Sequence, residues 1–351
     1  MEELANKIAE LIKDYRNEDG ISIDQNHVIR WANQFEEKDR EFLLSELLHI
    51  LPKSYLSKND VIETLEEVFE YLRKKYSYDT IQSFLNNSRF LSCQSSAKSQ
   101  SVLLNFLNEI AMKKYGVSIL EMYSEKPKLW IYFDDVLGSG GTFRKNIGTK
   151  IDEYGKDNYI SEDIKLICIF FFLHSWGRAN AKFVLLKKYS KDLANSIDFH
   201  GAFEIQNNPR INFFNPNPKF NHAFPKQTDI GKTYIDNLEE SLDLGYDMNY
   251  SKFAFRSNDK PSTEEFYSSP ENRDRYESII LKKGIEIIDD IEHLSAKGTR
   301  PLGFTPPSYK TLGTGSHAFT WRNISNTCPL VYWWEVNNWI PLFSVQNRGV
   351  N

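Results

Sequence analysis

The stretch Leu129–Thr142, LWIYFDDVLGSGGT, constrains the fold of this 351-residue chain more than any other. Five apolar residues, Leu129 to Phe133, predict a buried strand, and the three glycines that follow forbid a continuous helix. The strand delivers Asp134 and Asp135 to the carboxyl edge of a sheet, where open α/β sheets bind their ligands. A second run, ICIFFFL, within a strand predicted over Ile164–Leu173, is apolar at every position, as expected when helices cover both sheet faces. Helices predicted over Ser101–Tyr115 and Arg178–Tyr189, with a short strand over Arg89–Cys93, complete a mainly parallel α/β sheet.

Residues 1–76 read differently, as a compact helical module. Leu4, Ile8, Leu11 and Ile12 share one helical face; Val28, Trp31, Ala32 and Phe35 share another; Phe42–Leu51 forms a third helix that Pro52 stops. Ser57-Lys58-Asn59-Asp60 opens a fourth helix carrying Val61, Leu65, Val68 and Leu72. The segment through Lys75 holds 17 Asp or Glu against 11 Lys or Arg, the wrong sign for a DNA reader, so a protein-docking role is expected of it. The expected domains are therefore 1–76 and 77–351, the second with an insertion over about 205–300.

That insertion opens with NNPRINFFNPNPKFNHAFP, whose asparagines and prolines predict ordered irregular structure, and two helices are expected near Asp229–Leu244 and Arg273–Leu294. Phe213, Phe214, Phe220, His222 and Phe224 could pack there, replace a lid over the site or form an acceptor site. The aromatic stretches SHAFTW and LVYWW predict a return of the chain to the sheet. Cys93, Cys168 and Cys328 lie far apart, and none has a neighbour at metal-ligand or redox spacing. With no apolar run of about 18 residues, neither a membrane span nor a secretion signal is expected, and a reducing cytoplasm fits best.

The chemistry suggested by Val136, Leu137, Gly138, Ser139, Gly140, Gly141 and Thr142 is that of a sugar phosphate. Glycines let several amides converge on one anion, the helix expected to start near Thr142 adds its positive end, and Ser139 and Thr142 add hydroxyls. Asp134 and Asp135, the candidate catalytic pair, would accept hydrogen bonds from the ribose 2- and 3-hydroxyls. A nucleoside-triphosphate loop needs Gly-Lys-Ser/Thr, whereas Gly141 is followed by Thr142-Phe143-Arg144. A methyltransferase using S-adenosylmethionine has a similar turn, but Asp135 stands where its proline should be. The turn Ser95-Ser96-Ala97-Lys98-Ser99-Gln100 lies between a short strand and a helix and offers a second anion cradle, with Ala97, Lys98 and Ser99 as the pyrophosphate candidates; a solvated helix cap is the alternative. His174, at a strand end, falls on the same edge, as a core, capping or site residue.

Position by position from Tyr132 to Thr142, the chain resembles the type I phosphoribosyltransferases: hydrophobic strand, Asp-Asp, two aliphatics, small residues, Gly and Thr. More narrowly, VIRWANQF, LSELLHILPKSYLS, Ala97-Lys98-Ser99, DDVLGSGGT, Asn326-Thr327-Cys328-Pro329, Trp333, Trp339 and PLF resemble phosphoribosyltransferase-like effectors of bacterial conflict systems, including those encoded with retrons. That resemblance implies a winged-helix-like module ahead of a type I phosphoribosyltransferase-like sheet. It also implies phosphoribosyl pyrophosphate or a nucleotide as ligand, and magnesium carried by the pyrophosphate and ribose hydroxyls. A toxin role in antiphage defence follows, with residues 1–76 docking a controlling partner such as a reverse transcriptase with its DNA product. Only about a dozen residues, Gly116–Lys126, precede the motif strand, too few for the family's usual strand and mobile catalytic loop. Sensing of a nucleotide or ribose phosphate without catalysis is the competing expectation.

Overall fold

The computed structural model describes residues 1–96, 98–121, 126–208, 215, 218–241, 253–291, 296–307, 309–335 and 337–345. Two compact units emerge, one built from Met1–Lys58 with Ile205–Asn351 and the other from Asn59–Glu204. This division differs from the expected 1–76 and 77–351, because the N-terminal helices find their partners in the last third of the chain.

The first unit begins with α1 (Glu2–Leu11), α2 (Gln25–Ala32) and α3 (Glu37–Ile50). Asp24 caps α2 by accepting a hydrogen bond from the His27 amide at 2.7 Å. Pro52 lies in a short 3-10 turn that ends α3, and the two-residue strand β1 (Tyr55–Leu56) follows. A winged helix would carry a β-hairpin. Among the described residues of 1–76, β1 is the one strand.

The second unit starts with α4 (Lys58–Lys75) and α5 (Ile81–Asn86) and then builds its sheet: β2 (Ser88–Phe90), α6 (Ser99–Tyr115), β3 (Leu129–Leu137), α7 (Gly141–Tyr154), α8 (Lys156–Ser161), β4 (Lys165–His174), α9 (Ser175–Lys188), α10 (Lys191–Asn195) and β5 (Ile197–Ile205). The strand order is β2-β3-β4-β5, with β2–β3 and β3–β4 parallel. Every β4 side chain after Lys165 is buried, which accounts for the unbroken apolar run. One face of the sheet, through Trp130, Tyr132, Leu166, Cys168 and Phe170, packs on Phe143, Ile147 and Ile151 of α7.

The motif strand is longer than expected. Beyond Phe133, Asp134 stays paired with Phe170, Val136 with Phe172 and Leu137 with Leu173, so β3 runs four residues past the predicted end. The strand β5 is not among the strands predicted from sequence, although IDFHGAFEI, which lies along an edge of the sheet, alternates Ile197, Phe199, Phe203 and Ile205 with Asp198, His200 and Glu204 and breaks the pattern only at Gly201-Ala202.

The chain then completes the first unit with α11 (Asp229–Ser241), α12 (Pro270–Asp289) and β6 (Phe319–Thr320). The irregular segment is fastened by Arg273, wholly buried, which donates to the Phe220 carbonyl at 2.7 Å and the His222 carbonyl at 3.2 Å while pairing with Glu264 and Glu277. Phe220, His222 and Phe224 pack against one another; Phe213 and Phe214 lie outside the described residues. Among the described residues the expected return to the main sheet does not occur. β6 pairs in parallel with β1 in a separate two-stranded sheet, and Leu330–Tyr332 forms a 3-10 turn, not a strand. Ring packing directs this: Phe319 stacks on Phe343 at 4.7 Å, Tyr332 stacks on Trp31 at 5.8 Å, and the Trp31 indole donates to the Val331 carbonyl at 2.8 Å. Among the described residues no helix is long and apolar enough to cross a membrane.

Trp31 therefore joins the two ends of the sequence. Trp31→Ala should cost about 3–5 kcal/mol in urea denaturation, the usual range for emptying a large aromatic site. A loss below about 1 kcal/mol would show that the tail is not what holds α2.

Candidate functional site

The carboxyl ends of β2 and β3 bring two loops together within the second unit. Period-two alternation places Asp134 on the same sheet face as Tyr132, beneath α7, and leaves it only 6 % exposed. Four donors converge on its carboxyl group: Gln94 Nε2 to Oδ2 at 2.7 Å, the Tyr132 hydroxyl to Oδ2 at 2.9 Å, Ser99 Oγ to Oδ1 at 3.0 Å and the Asp135 amide to Oδ1 at 3.0 Å. Asn146 of α7 donates in turn to the Tyr132 hydroxyl at 3.2 Å. Burial and the neighbouring Asp135 charge raise the Asp134 pKa to about 7, against the lowering effect of the Tyr132 hydroxyl and the Asp135 amide. Burial and Asp134 also push the Tyr132 hydroxyl up, so it stays a donor.

Asp135 has a different setting. It is half-buried on the opposite sheet face, and its Oδ1 accepts from the Val136 amide at 2.8 Å. The next residues turn sharply. Leu137 is buried in the core, Val136 and Gly138 are half-buried, and Gly140 adopts a left-handed φ of +79° as the N-cap of α7. No side chain caps that helix, so the Thr142 and Phe143 amides have no partner within it, while the Gly141 amide makes a long bond of 3.4 Å to Ser139 Oγ. The rear of the turn rests on α9: a Cβ at Gly177 would fall 1.9 Å from the Gly138 carbonyl oxygen, and one at Gly140 would fall 3.0 Å from the Gly177 oxygen. Only glycine at 177 permits that approach.

The second loop begins after β2. Lys98 is exposed, its amide closes a turn onto the Ser95 carbonyl at 3.0 Å, and it is the N-cap residue of α6. Gln100 is buried and anchors the loop by accepting from the Cys93 amide at 2.8 Å. Ala97 lies outside the described residues. The structure thus brings Ser99 against Asp134 and places Lys98 one residue away. His174 is fully buried as the N-cap of α9, and burial lowers its pKa to about 3, which keeps it neutral at physiological pH. Among the described residues no group of three or more His, Cys, Asp or Glu side chains could hold a metal ion.

Sequence reasoning missed Gln94, Tyr132, Asn146 and Gly177. Tyr132 was detectable, two residues before Asp134 on one strand. Nothing local singles out Gln94 or Asn146, which reach the site from other elements.

A sheet with parallel central strands, carrying paired aspartates and a glycine turn at one edge, defines a phosphoribosyltransferase-like α/β protein. The chain belongs to the PRTase-CE family, whose model matches residues 28–345. No curated protein and no solved structure matches it.

Because the folded protein keeps the Asp134 proton that the unfolded chain releases near pH 4, the contribution of Asp134 to stability falls as pH rises from about 4 to about 7 and levels off above, against the opposite contribution of His174, neutral when folded and protonated when unfolded; the difference between wild type and Asp134→Asn isolates it. Carboxyl carbon NMR should find one aspartate titrating near pH 7 that disappears in Asp134→Asn. If every aspartate titrates below about pH 5, the burial argument is wrong. Separately, Gly177→Ala should destabilise the protein by at least about 1–3 kcal/mol, since the new methyl group meets backbone, not a movable side chain.

Proposed function

We propose that the glycine turn holds the ribose 5-phosphate group of phosphoribosyl pyrophosphate or a nucleotide. The supporting observation is the Ser99–Asp134 hydrogen bond, which ties the start of α6, after the Lys98 turn, to the strand that leads into the glycine turn. In this reading the amides of Gly138–Thr142 and the hydroxyls of Ser139 and Thr142 take the phosphate. Asp135 accepts from the ribose hydroxyls. Asp134, already met by four donors, sets the spacing of the two loops. Lys98 and Ser99, with Ala97 by the sequence reading alone, are the pyrophosphate candidates, and magnesium would be carried by the pyrophosphate and the ribose hydroxyls of the ligand.

The wider proposal, resting on family resemblance, is a cytoplasmic toxin-like effector of bacterial antiphage defence, as encoded with retrons, acting on a nucleotide or nucleic-acid-related target. The acidic N-terminal helices, winged-helix-like by resemblance, would dock a controlling partner such as a reverse transcriptase with its DNA product. One observation favours sensing without catalysis. β2 pairs directly with β3, and the described residues between α6 and β3 contain no strand that could carry a mobile lid.

Titration calorimetry with phosphoribosyl pyrophosphate and magnesium tests the binding claim. Asp135→Asn should weaken binding roughly 10-fold or more without lowering the denaturation midpoint, because the new side chain keeps an oxygen for the Val136 amide and its loss of charge relieves the repulsion with Asp134. Ser99→Ala should also weaken it, by loosening the join while leaving the glycine turn and both carboxylates in place. Unchanged affinity in both variants would sink the proposal. Pyrophosphate release or base exchange with a nucleotide would favour the enzyme over the sensor.

A further inference from the structure

Arg144 is absent from every role assigned so far, yet its side chain is placed beside the glycine turn. It sits in the first turn of α7, where side chains lean toward the helix start, and its Nε donates to the Gly140 carbonyl at 3.2 Å. The guanidinium is thereby held at the mouth of the turn. A Cβ at Gly141 would lie 3.9 Å from Arg144 Nη2 and 3.6 Å from Ser139 Oγ, so the guanidinium and the hydroxyl flank Gly141 together. The rear of the turn is closed by Gly177 and Ala181 of α9. Its accessible side therefore has a cation on one flank.

The charge of that cation is not spent elsewhere. Among the described residues no carboxylate pairs with Arg144, although its neighbours on the same unit are paired: Lys150 with Glu153, Arg178 with Glu204 and Lys188 with Asp152. A half-buried guanidinium tied to a carbonyl keeps several N–H groups for an anion, and a guanidinium fork matches phosphate geometry.

We propose that Arg144 is a phosphate-binding residue that selects 5-phosphorylated ligands over their unphosphorylated counterparts by pairing with the phosphate held on the Gly138–Thr142 turn. This inference rests on the ribose 5-phosphate reading of the turn. Amides supply orientation but little net charge; Arg144 supplies the counter-charge that a dianion needs on leaving water. Specificity then lies in the difference between a phosphate and a bare hydroxyl at the same position.

The test uses the full chain and two probes, ribose 5-phosphate and ribose, with binding followed by titration calorimetry or ligand-observed NMR. Arg144→Gln should weaken ribose 5-phosphate binding by roughly 10- to 100-fold. Arg144→Lys should recover part of the loss, and Lys145→Gln, which changes an exposed neighbouring cation, should leave binding unchanged. Thermal melts of all three variants separate misfolding from lost contact, and recovery by lysine would exclude a purely steric cause. Equal binding by wild type and Arg144→Gln, or equal losses in Arg144→Gln and Lys145→Gln, overturns the role of Arg144 alone. Failure of the wild type to prefer ribose 5-phosphate over ribose overturns the ribose 5-phosphate reading together with it.

Discussion

A carboxyl group placed inside a sheet must be met by donors or by a proton, and Asp134 has both claims on it. Its four donors come from three parts of the second unit: the loop after β2, the start of α6 and β3 itself. Because each donor is fixed by the element it belongs to, the carboxyl group fixes those elements relative to one another. The spacing between the Lys98 turn and the glycine turn is a consequence of this arrangement. The site thus depends on a side chain largely closed to any ligand, while the half-buried Asp135 next to it keeps an exposed edge.

The parts of this arrangement that depend on local chemistry were legible in the sequence. The apolar run of β4, the glycine turn and the helix start after it follow from burial and backbone freedom within a few residues of one another. The end of β3 was not legible, because two adjacent aspartates read as a strand terminus. In fact their backbones continue the ladder with β4 while one carboxyl group is buried and accepts hydrogen bonds from Gln94 and Ser99, far along the sequence. LVYWW misled for a related reason. Its rings are aromatic enough for a strand, but they are packed by α2 and by the tail itself, and the backbone is free to turn. The first unit divides across the sequence because contacts of this kind join residues about 300 positions apart.

Glycine has two uses at the site. At Gly140 it admits a left-handed turn; at Gly177 it lets a helix lie against the back of that turn. The first is visible in the motif. The second lies in a different helix and becomes apparent only when the turn and α9 are seen together, which is why a motif search alone would leave out a residue on which the shape of the motif depends.

The joining of the two chain ends also governs the order in which the protein can mature. On a ribosome the helices α1–α3 emerge about 300 residues ahead of the Trp31 acceptor at Val331 and the Tyr15 acceptor at Ser344. At about 5–20 residues per second, these helices wait tens of seconds with their apolar faces uncovered, while the Asn59–Glu204 segment already has its own sheet and helices. A chain that stalls or is cut before Val331 would therefore carry a finished Asn59–Glu204 unit and an unfinished first one, a form open to chaperones and proteases.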